Sequence, residues 1–364
     1  MTESKPWDYI IAGGGIAGCV VASRLKHYQP SSRILLIEAG GWTRGAKADY
    51  DGWAEIVNDQ RWSYEGQLPY FKMTERWFSD NPEALNSHGR DGTLQIESPT
   101  YTNRIYPLTK ITEEAWAEIG VNKLPGADMN AGTNLGLGEL NENRSNGARQ
   151  IAPLVYPLDG ITVQTDTLVQ SIVLDGSRAT GILLADGTEI SSQEVIVAAG
   201  AYRTPQLLML SGIGPRETLE KHGIEVKIGN PDVGKNFNDH VKVHLNWRLK
   251  DPSKGYAAAI AKDEGENAVT PEHYLLKRDR ALMETLVMYL GTPPVAVDGT
   301  HISSALIALK PTSRGTVTIT SKDPKDAPLL DPNYFATEVD KAVWRHSLRR
   351  ITELMSGDPS HSSV

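Results

Sequence analysis

Three glycines and one acid near the N-terminus have the types and spacing to do binding chemistry. Gly13, Gly15 and Gly18 give the pattern G-x-G-x-x-G, and Glu38 follows twenty residues after Gly18. A dinucleotide would use each of them. Gly13 permits a tight turn, Gly15 removes the side chain that would block a pyrophosphate, and Gly18 lets a helix pack closely on a strand. Phosphates would then rest on free N–H groups at the helix start, where the helix dipole favours negative charge. Glu38 is placed to accept hydrogen bonds from ribose hydroxyls.

These residues need elements to hold them. Tyr9, Ile10, Ile11 and Ala12 form the short apolar run expected of a parallel strand covered on both faces. From Ile16 the apolar positions change to helical period at Ala17, Val20, Val21 and Leu25, with Arg24 and Lys26 turned outward. Pro30, Ser31 and Ser32 break the helix, and residues 33–37 resume strand character before Glu38. A strand before, a helix after and an acid at the right distance separate this pattern from a ligand-free glycine turn.

The whole chain sets bounds on function. Its 364 residues suffice for two domains or one elaborated one. Lys and Arg number 37 against 45 Asp and Glu, a net charge of −8 without a clustered basic run, which argues against a nucleic-acid or anionic-membrane partner. Cys19 is the single cysteine, so no internal disulfide forms; inside the first helix it reads as a small buried apolar group. The N-terminus lacks the basic start and apolar core of a signal peptide, and no apolar run reaches membrane-spanning length; the expected location is cytoplasmic.

Residues 42–92 hold Trp42, Trp53, Trp62 and Trp77 with several Tyr and Phe, a density that suits either a pocket or the packing of a loop-rich excursion. Residues 51–56 and 64–77 read as short helices, 88–92 (HGRDG) as a turn and 93–96 as a strand. Residues 110–120 read as a helix closed by Gly120. Residues 128–146 are rich in Asn and Gly, and a functional loop and a solvated one are both open there.

Beyond Gly160 the pattern becomes regular. Residues 161–165 read as a strand, and 168–174, 179–185 and 189–191 as a three-stranded meander with turns at Asp175-Gly176 and Asp186-Gly187. Residues 194–198 read as a separate buried parallel strand. A meander between parallel strands, downstream of a dinucleotide turn, is how flavoprotein domains of the glutathione-reductase kind are built, and this moves the expected cofactor from nicotinamide to FAD. A helix is expected from Thr204, as cap, with Pro205 at its first position, to Gly212. Residues 216–222 read as a helix and 224–228 as a strand.

Residues 200–215, GAYRTPQLLMLSGIGP, closely resemble the second signature of the glucose–methanol–choline (GMC) oxidoreductases. NPDVGKNFNDH at 230–240, GGGIAG near the start, EAGG at 38–41 and RGAKADYDGW at 44–53 extend the resemblance over most of residues 8–350. It implies an α/β fold: an FAD-binding domain of glutathione-reductase type, with parallel sheet and β-meander, joined to an α+β substrate domain with an antiparallel sheet. The expected limits are 1–240 for the FAD domain, with an excursion at about 42–152, then 241–335 for a partial substrate domain and 336–364 for a terminal helix and polar tail. It also implies phosphate and ribose contacts at Ile16, Ala17, Glu38 and Ala39, an adenine contact near Val169, and further cofactor contacts at Ala199 and Gly200. The implied activity is oxidation of CH–OH groups of a small-molecule alcohol, in secondary metabolism.

Residues 241–249 alternate as a strand, residues 301–309 and 316–320 as strands of the substrate-domain sheet joined by a turn through Ser313-Arg314-Gly315, and 252–271 as a surface region. Residues 338–356 read as an amphipathic helix with Val339, Val343, Ile351 and Leu354 inward. His240 and His244 lie too far apart on a strand for a metal pair, and no third ligand accompanies them. Two departures from the family pattern stand out. Only Trp42 and Thr43 intervene where the family carries its first signature, and the chain is expected to stop before the C-terminal segment that holds the catalytic histidine. None of His240, His244, His301, His346 or His361 sits in a matching motif, so no catalytic residue is carried over. A truncated or degenerate relative without redox activity, acting as a binding or scaffold protein or a non-redox catalyst, is the alternative.

Overall fold

A computed structural model describes residues 7–14, 16–29, 31, 34–38, 44–78, 86–98, 100–103, 108–133, 136–139, 141–145, 148–248, 250, 295, 300–308 and 311–356. Gly15, Ala39, Trp42, the 252–271 region and the tail after 356 lie outside these. The chain forms two compact units. The first takes Met1–Trp42, Arg149–Asp239 and Ser313–Ala336; the second takes Thr43–Ala148, His240–Thr312 and Thr337–Val364. The excursion thus belongs with 240–312 and the terminal helix, while 313–335, expected in the substrate domain, falls in the first unit.

The first unit is built on one six-stranded sheet. Its strands are β1 (Trp7–Gly14), β2 (Ile34–Glu38), β3 (Thr162–Val163), β4 (Val169–Asp175), β5 (Arg178–Leu184) and β6 (Glu189–Val197). Their spatial order is β4-β5-β6-β1-β2-β3, with β6, β1, β2 and β3 mutually parallel and β4, β5 and β6 antiparallel. Apolar β1 needs cover on both faces, and it receives it: Ile10 packs with Ile182 and Leu184, and Ile11 with Cys19 and Ala22 of helix α1 (Ile16–Tyr28). Cys19 is buried as the sequence implies.

The meander's third strand and the parallel strand, expected as two, are one. β6 pairs with β5 up to Ser191 and with β1 from Ser192. At the changeover the Ser192 hydroxyl donates to the Glu194 carbonyl (2.6 Å) and accepts from the Glu194 N–H (3.2 Å), holding the local backbone while the strand changes neighbours.

Helix α2 (Gly200–Leu210) differs from expectation more consequentially. It starts at Gly200, with Ala199 as cap residue, four residues ahead of Thr204, and Pro205 lies within it. The hydrogen bond that Pro205 cannot make would have gone to Ala201, which is exposed and open to water. Ser211 fastens the helix end to the meander: its hydroxyl donates to the Leu207 carbonyl (2.6 Å) and accepts from the Ile172 N–H (2.7 Å). Of 224–228, only Ile228 pairs, as Ile228–Gly229 beside Ile213–Gly214, because Ile224 and Val226 pack on the Met209 and Leu219 cluster without a neighbouring strand. The Thr316–Thr318 strand pairs with Leu329–Asp331, not with His301–Ala308. Its continuation, Ile319, is buried in that same Met209 and Leu219 cluster.

In the second unit Val241–Arg248 pairs antiparallel with His301–Ala308 over eight positions, and helix Glu338–Ser356 closes the apolar side through Trp344 and Ile351 on Leu306. Ile351 and Leu354 face inward as expected; the side chains of Val339 and Val343 are not described. The helix expected over 64–77 stops at Thr74. Glu75–Phe78 is a strand instead, because Glu75 and Trp77 both turn to a buried face, a period of two. Helix Thr109–Glu118 ends before Gly120, which sits at φ +83°. The Asn- and Gly-rich stretch is not all loop: Leu137–Glu139 lies parallel to Lys123–Asp128 and Arg144–Ser145 is a further short strand. Tyr50, Tyr64 and Phe71 cluster as rings, whereas Trp53, Trp62 and Tyr70 are exposed.

Candidate functional site

The glycine turn lies where the sequence requires, at the carboxyl end of β1 in the middle of the parallel strands. Gly13 has φ +111°, and a Cβ on it would stand 2.1 Å from the Ala198 carbonyl oxygen and 2.7 Å from the Ala199 nitrogen. The Ala198 N–H donates to the Ala12 carbonyl (2.6 Å), so β1 and the end of β6 are drawn together just below the turn. No residue with a Cβ fits at Gly13 unless this contact opens.

Beside the turn, β1 and β2 stand in register with Gly14 opposite Glu38. The last residue of β2 is therefore carried level with the turn by backbone pairing alone. Ile16, Ala17 and Gly18 form the first turn of α1, which contains no acidic residue, and Ala17 is exposed. Val169 begins β4, half-buried, and packs against the cluster of Ala12, Ile172 and Leu207, which includes the residue before Gly13.

Ala199 and Gly200 turn out to be the start of α2. The Ala199 nitrogen lies against Gly13, so a second helix N-terminus meets the glycine turn beside that of α1. Ala199 has no side chain to cap it, and no acid lies in the first turn. Gly200 has φ +75° with open space where its Cβ would be, and Ala201 and Tyr202 are exposed. Uncapped first-turn N–H groups seek an acceptor, and two helix starts without acids in their first turns at one glycine turn suit an anion with more than one phosphate. Reading Pro205 as the first helical residue hid this second helix start. The signal that would have found it is the strand ending at Ala198 followed at once by Ala199-Gly200.

The histidines weighed as catalytic candidates all belong to the second unit. His240 is exposed just ahead of Val241–Arg248, His244 lies within that strand opposite Ala305, and the His301 ring lies 2.8 Å from the Thr300 hydroxyl. His346 is in the terminal helix, with its side chain not described, and His361 lies outside the described residues. Among the described residues no group of His, Cys, Asp and Glu is arranged to hold a metal ion, and no helix is long and apolar enough to cross a membrane.

Comparison with known proteins gives a consistent result. A family model described as GMC oxidoreductase matches residues 7–242, and a second of the same description, for the C-terminal part, matches residues 311–363. The chain therefore extends into the family's C-terminal region. The GMC-type oxidoreductase acuG of Aspergillus aculeatus is 33% identical over an alignment covering 99% of this chain and 82% of that protein. An oxygen-dependent choline dehydrogenase of Staphylococcus aureus is 27% identical, covering 97% of this chain and 76% of the relative. Among solved structures, pyridoxine 4-oxidase from Mesorbium loti matches with TM-score 0.77 at 24% identity, over 96% of this chain and 80% of that one. Formate oxidase of Aspergillus oryzae matches with TM-score 0.78 at 21% identity, over 97% and 82%. Likeness at these identities speaks for the fold, a mixed α/β one.

Proposed function

We propose, from the premise that this chain belongs to the GMC oxidoreductase family, that it binds FAD in its first unit and oxidises the CH–OH group of a small-molecule alcohol. The observation that carries the cofactor reading is the glycine turn pressed against Ala198 and Ala199, with the acid-free first turn of α1 following it and the uncapped start of α2 beside it. The residues present fit the group. The missing Cβ at Gly13 lets the turn seat flat, and the first-turn N–H groups of Ile16, Ala17 and Gly18, with those following Ala199 and Gly200, would hold the diphosphate. Gly15 would clear the approach of the pyrophosphate. Glu38, level with Gly14, and Ala39 after it would receive the ribose, and Val169 would border the adenine. We read this unit as the FAD-binding domain of glutathione-reductase type and the second, with its antiparallel sheet, as the substrate domain.

When bound, FAD supplies a hydride acceptor for the alcohol carbon. The chain's own contribution at the turn is to fix one end of the cofactor by backbone N–H groups, which are prearranged by the sheet and cost no side-chain ordering. The test is anaerobic mixing of the flavin-loaded protein with a panel of small alcohols. The reading expects at least one to bleach the flavin absorbance.

A second reading, a relative that holds FAD without oxidising alcohols, is favoured by one observation. The alignment with the Aspergillus aculeatus relative runs over 456 positions, whereas this chain has 364 residues, so the relative carries stretches that this chain lacks. Full flavin occupancy with no bleaching across the panel would decide for it.

A further inference from the structure

The second unit buries a charged cluster that the cofactor reading does not use. The side chains of Arg44, Glu75, His88 and Asp128 are 2, 2, 0 and 6% exposed. His88 Nδ1 lies 2.9 Å from Glu75 Oε1, and Nε2 lies 2.8 Å from Asp128 Oδ2. A neutral imidazole has one N–H and one lone pair, so it cannot donate to both. Either the ring carries a second proton or one carboxyl group does.

The remaining contacts decide which. Glu75 Oε1 also accepts from the Gly89 N–H (2.9 Å) and pairs with the Arg44 guanidinium, whose Nη1 donates to the Ser87 carbonyl (2.9 Å). Asp128 Oδ1 accepts from the Asn130 N–H (2.8 Å). Both carboxylates are thus solvated as anions by the protein. Trp77 stacks on the His88 ring at 3.8 Å and 14°, presenting a π face to it. Two cations, Arg44 and His88, then balance two anions, and loss of the ring proton would leave a buried net negative charge and a lone pair facing a carboxylate.

We propose that His88 is held as an imidazolium through neutral pH, and that its proton ties strand Glu75–Phe78, the 88–92 turn and strand Lys123–Asp128 together, so that alkaline conditions loosen this part of the second unit. Gly89 belongs to the same device. A Cβ on it would stand 1.8 Å from the Lys72 carbonyl, so only glycine lets the turn bring His88 this close to the end of helix Tyr64–Thr74.

The ionisable groups around the ring are consistent with this. Burial pulls the His88 pKa down, but its hydrogen bonds to the Asp128 and Glu75 carboxylates and their charges carry it above the ordinary histidine value. Burial raises Asp128, and His88 with the Asn130 N–H and Arg44 bring it below the usual carboxylate range. The Tyr64 phenol, which faces Arg44 and Asp128, is pushed up by burial and stays neutral. A raised folded-state pKa gives stability that is fully present below the unfolded histidine value of about 6.5 and is lost as pH rises through the folded value.

The test compares thermal unfolding of the full chain and of Asp128→Asn from about pH 6 to about pH 10, the range spanning histidine and tyrosine titration. In the variant an amide N–H can donate to a neutral His88 ring, while its oxygen still accepts from Asn130. The wild-type midpoint should fall by several degrees more than the variant's as pH rises; parallel curves would overturn the proposal. Should the variant fail to fold, nitrogen NMR of histidine-labelled wild-type protein near pH 8 decides. Two protonated ring nitrogens on a histidine whose signals vanish in His88→Gln support the proposal, and a neutral tautomer there refutes it.

Discussion

Gly13 and Ala198 approach so closely that a Cβ on Gly13 would overlap the Ala198 carbonyl oxygen at 2.1 Å. This contact joins the first strand of the chain to a strand almost two hundred residues later and sets the second helix start against the glycine turn. Gly13→Ala must therefore both strain a backbone at φ +111° and part β1 from the end of β6. The expected loss is on the order of 2–4 kcal/mol, combining positive-φ strain and overpacking. Denaturant unfolding of the variant checks it, and flavin uptake should fall with it.

Glu38 is placed level with the turn by the register of β2 on β1. Glu38→Ala should leave the stability of the flavin-free protein within about 0.5 kcal/mol, since the proposed role of the carboxylate is to bind the cofactor. It should weaken FAD retention by about 10- to 100-fold, the worth of charge-assisted hydrogen bonds of about 1.5–3 kcal/mol. Equilibrium dialysis of FAD against both proteins measures the ratio.

Acid should act on the second unit through Asp128. Its folded pKa is lowered, so its contribution is present above the unfolded carboxylate value and is lost as pH falls through the folded one. Tryptophan fluorescence, which reports Trp77 stacked on His88, should change as pH drops below about 4. In His88→Gln that acid transition should move upward, because Asp128 loses the partner that holds its proton off.

The terminal helix is held chiefly by its buried face. Trp344 is 7% exposed and shares a cluster with Leu306 and Ile351. Trp344→Ala should cost about 3–5 kcal/mol, the usual range for removing a large core ring, read as a lower urea midpoint.

Much of the first unit was legible because its signals are local. The apolar run at Tyr9 to Ala12, the period change at Ile16 and the Asp-Gly turns of the meander each specify an element from a few neighbours. The end of β2 at Glu38, opposite Gly14, was legible in the same way. What local pattern misread depended on distant partners. Pro205 looked like a first helical residue, but α2 begins earlier because Ala199 lies against Gly13. Thr316 looked like part of the sheet of His301, but Ile319 finds its core with Met209 and Leu219. Glu75 and His88 carried no sequence signal of a shared site, because the residues that pair them, Arg44 and Asp128, are scattered along the chain.

A cofactor held at the Gly13 turn is tested most directly by the absorption spectrum of the purified protein with and without added FAD. A flavin spectrum that stays with the protein through desalting, with a raised unfolding midpoint that Glu38→Ala diminishes, is the predicted result. A colourless protein that gains no stability from FAD would contradict it.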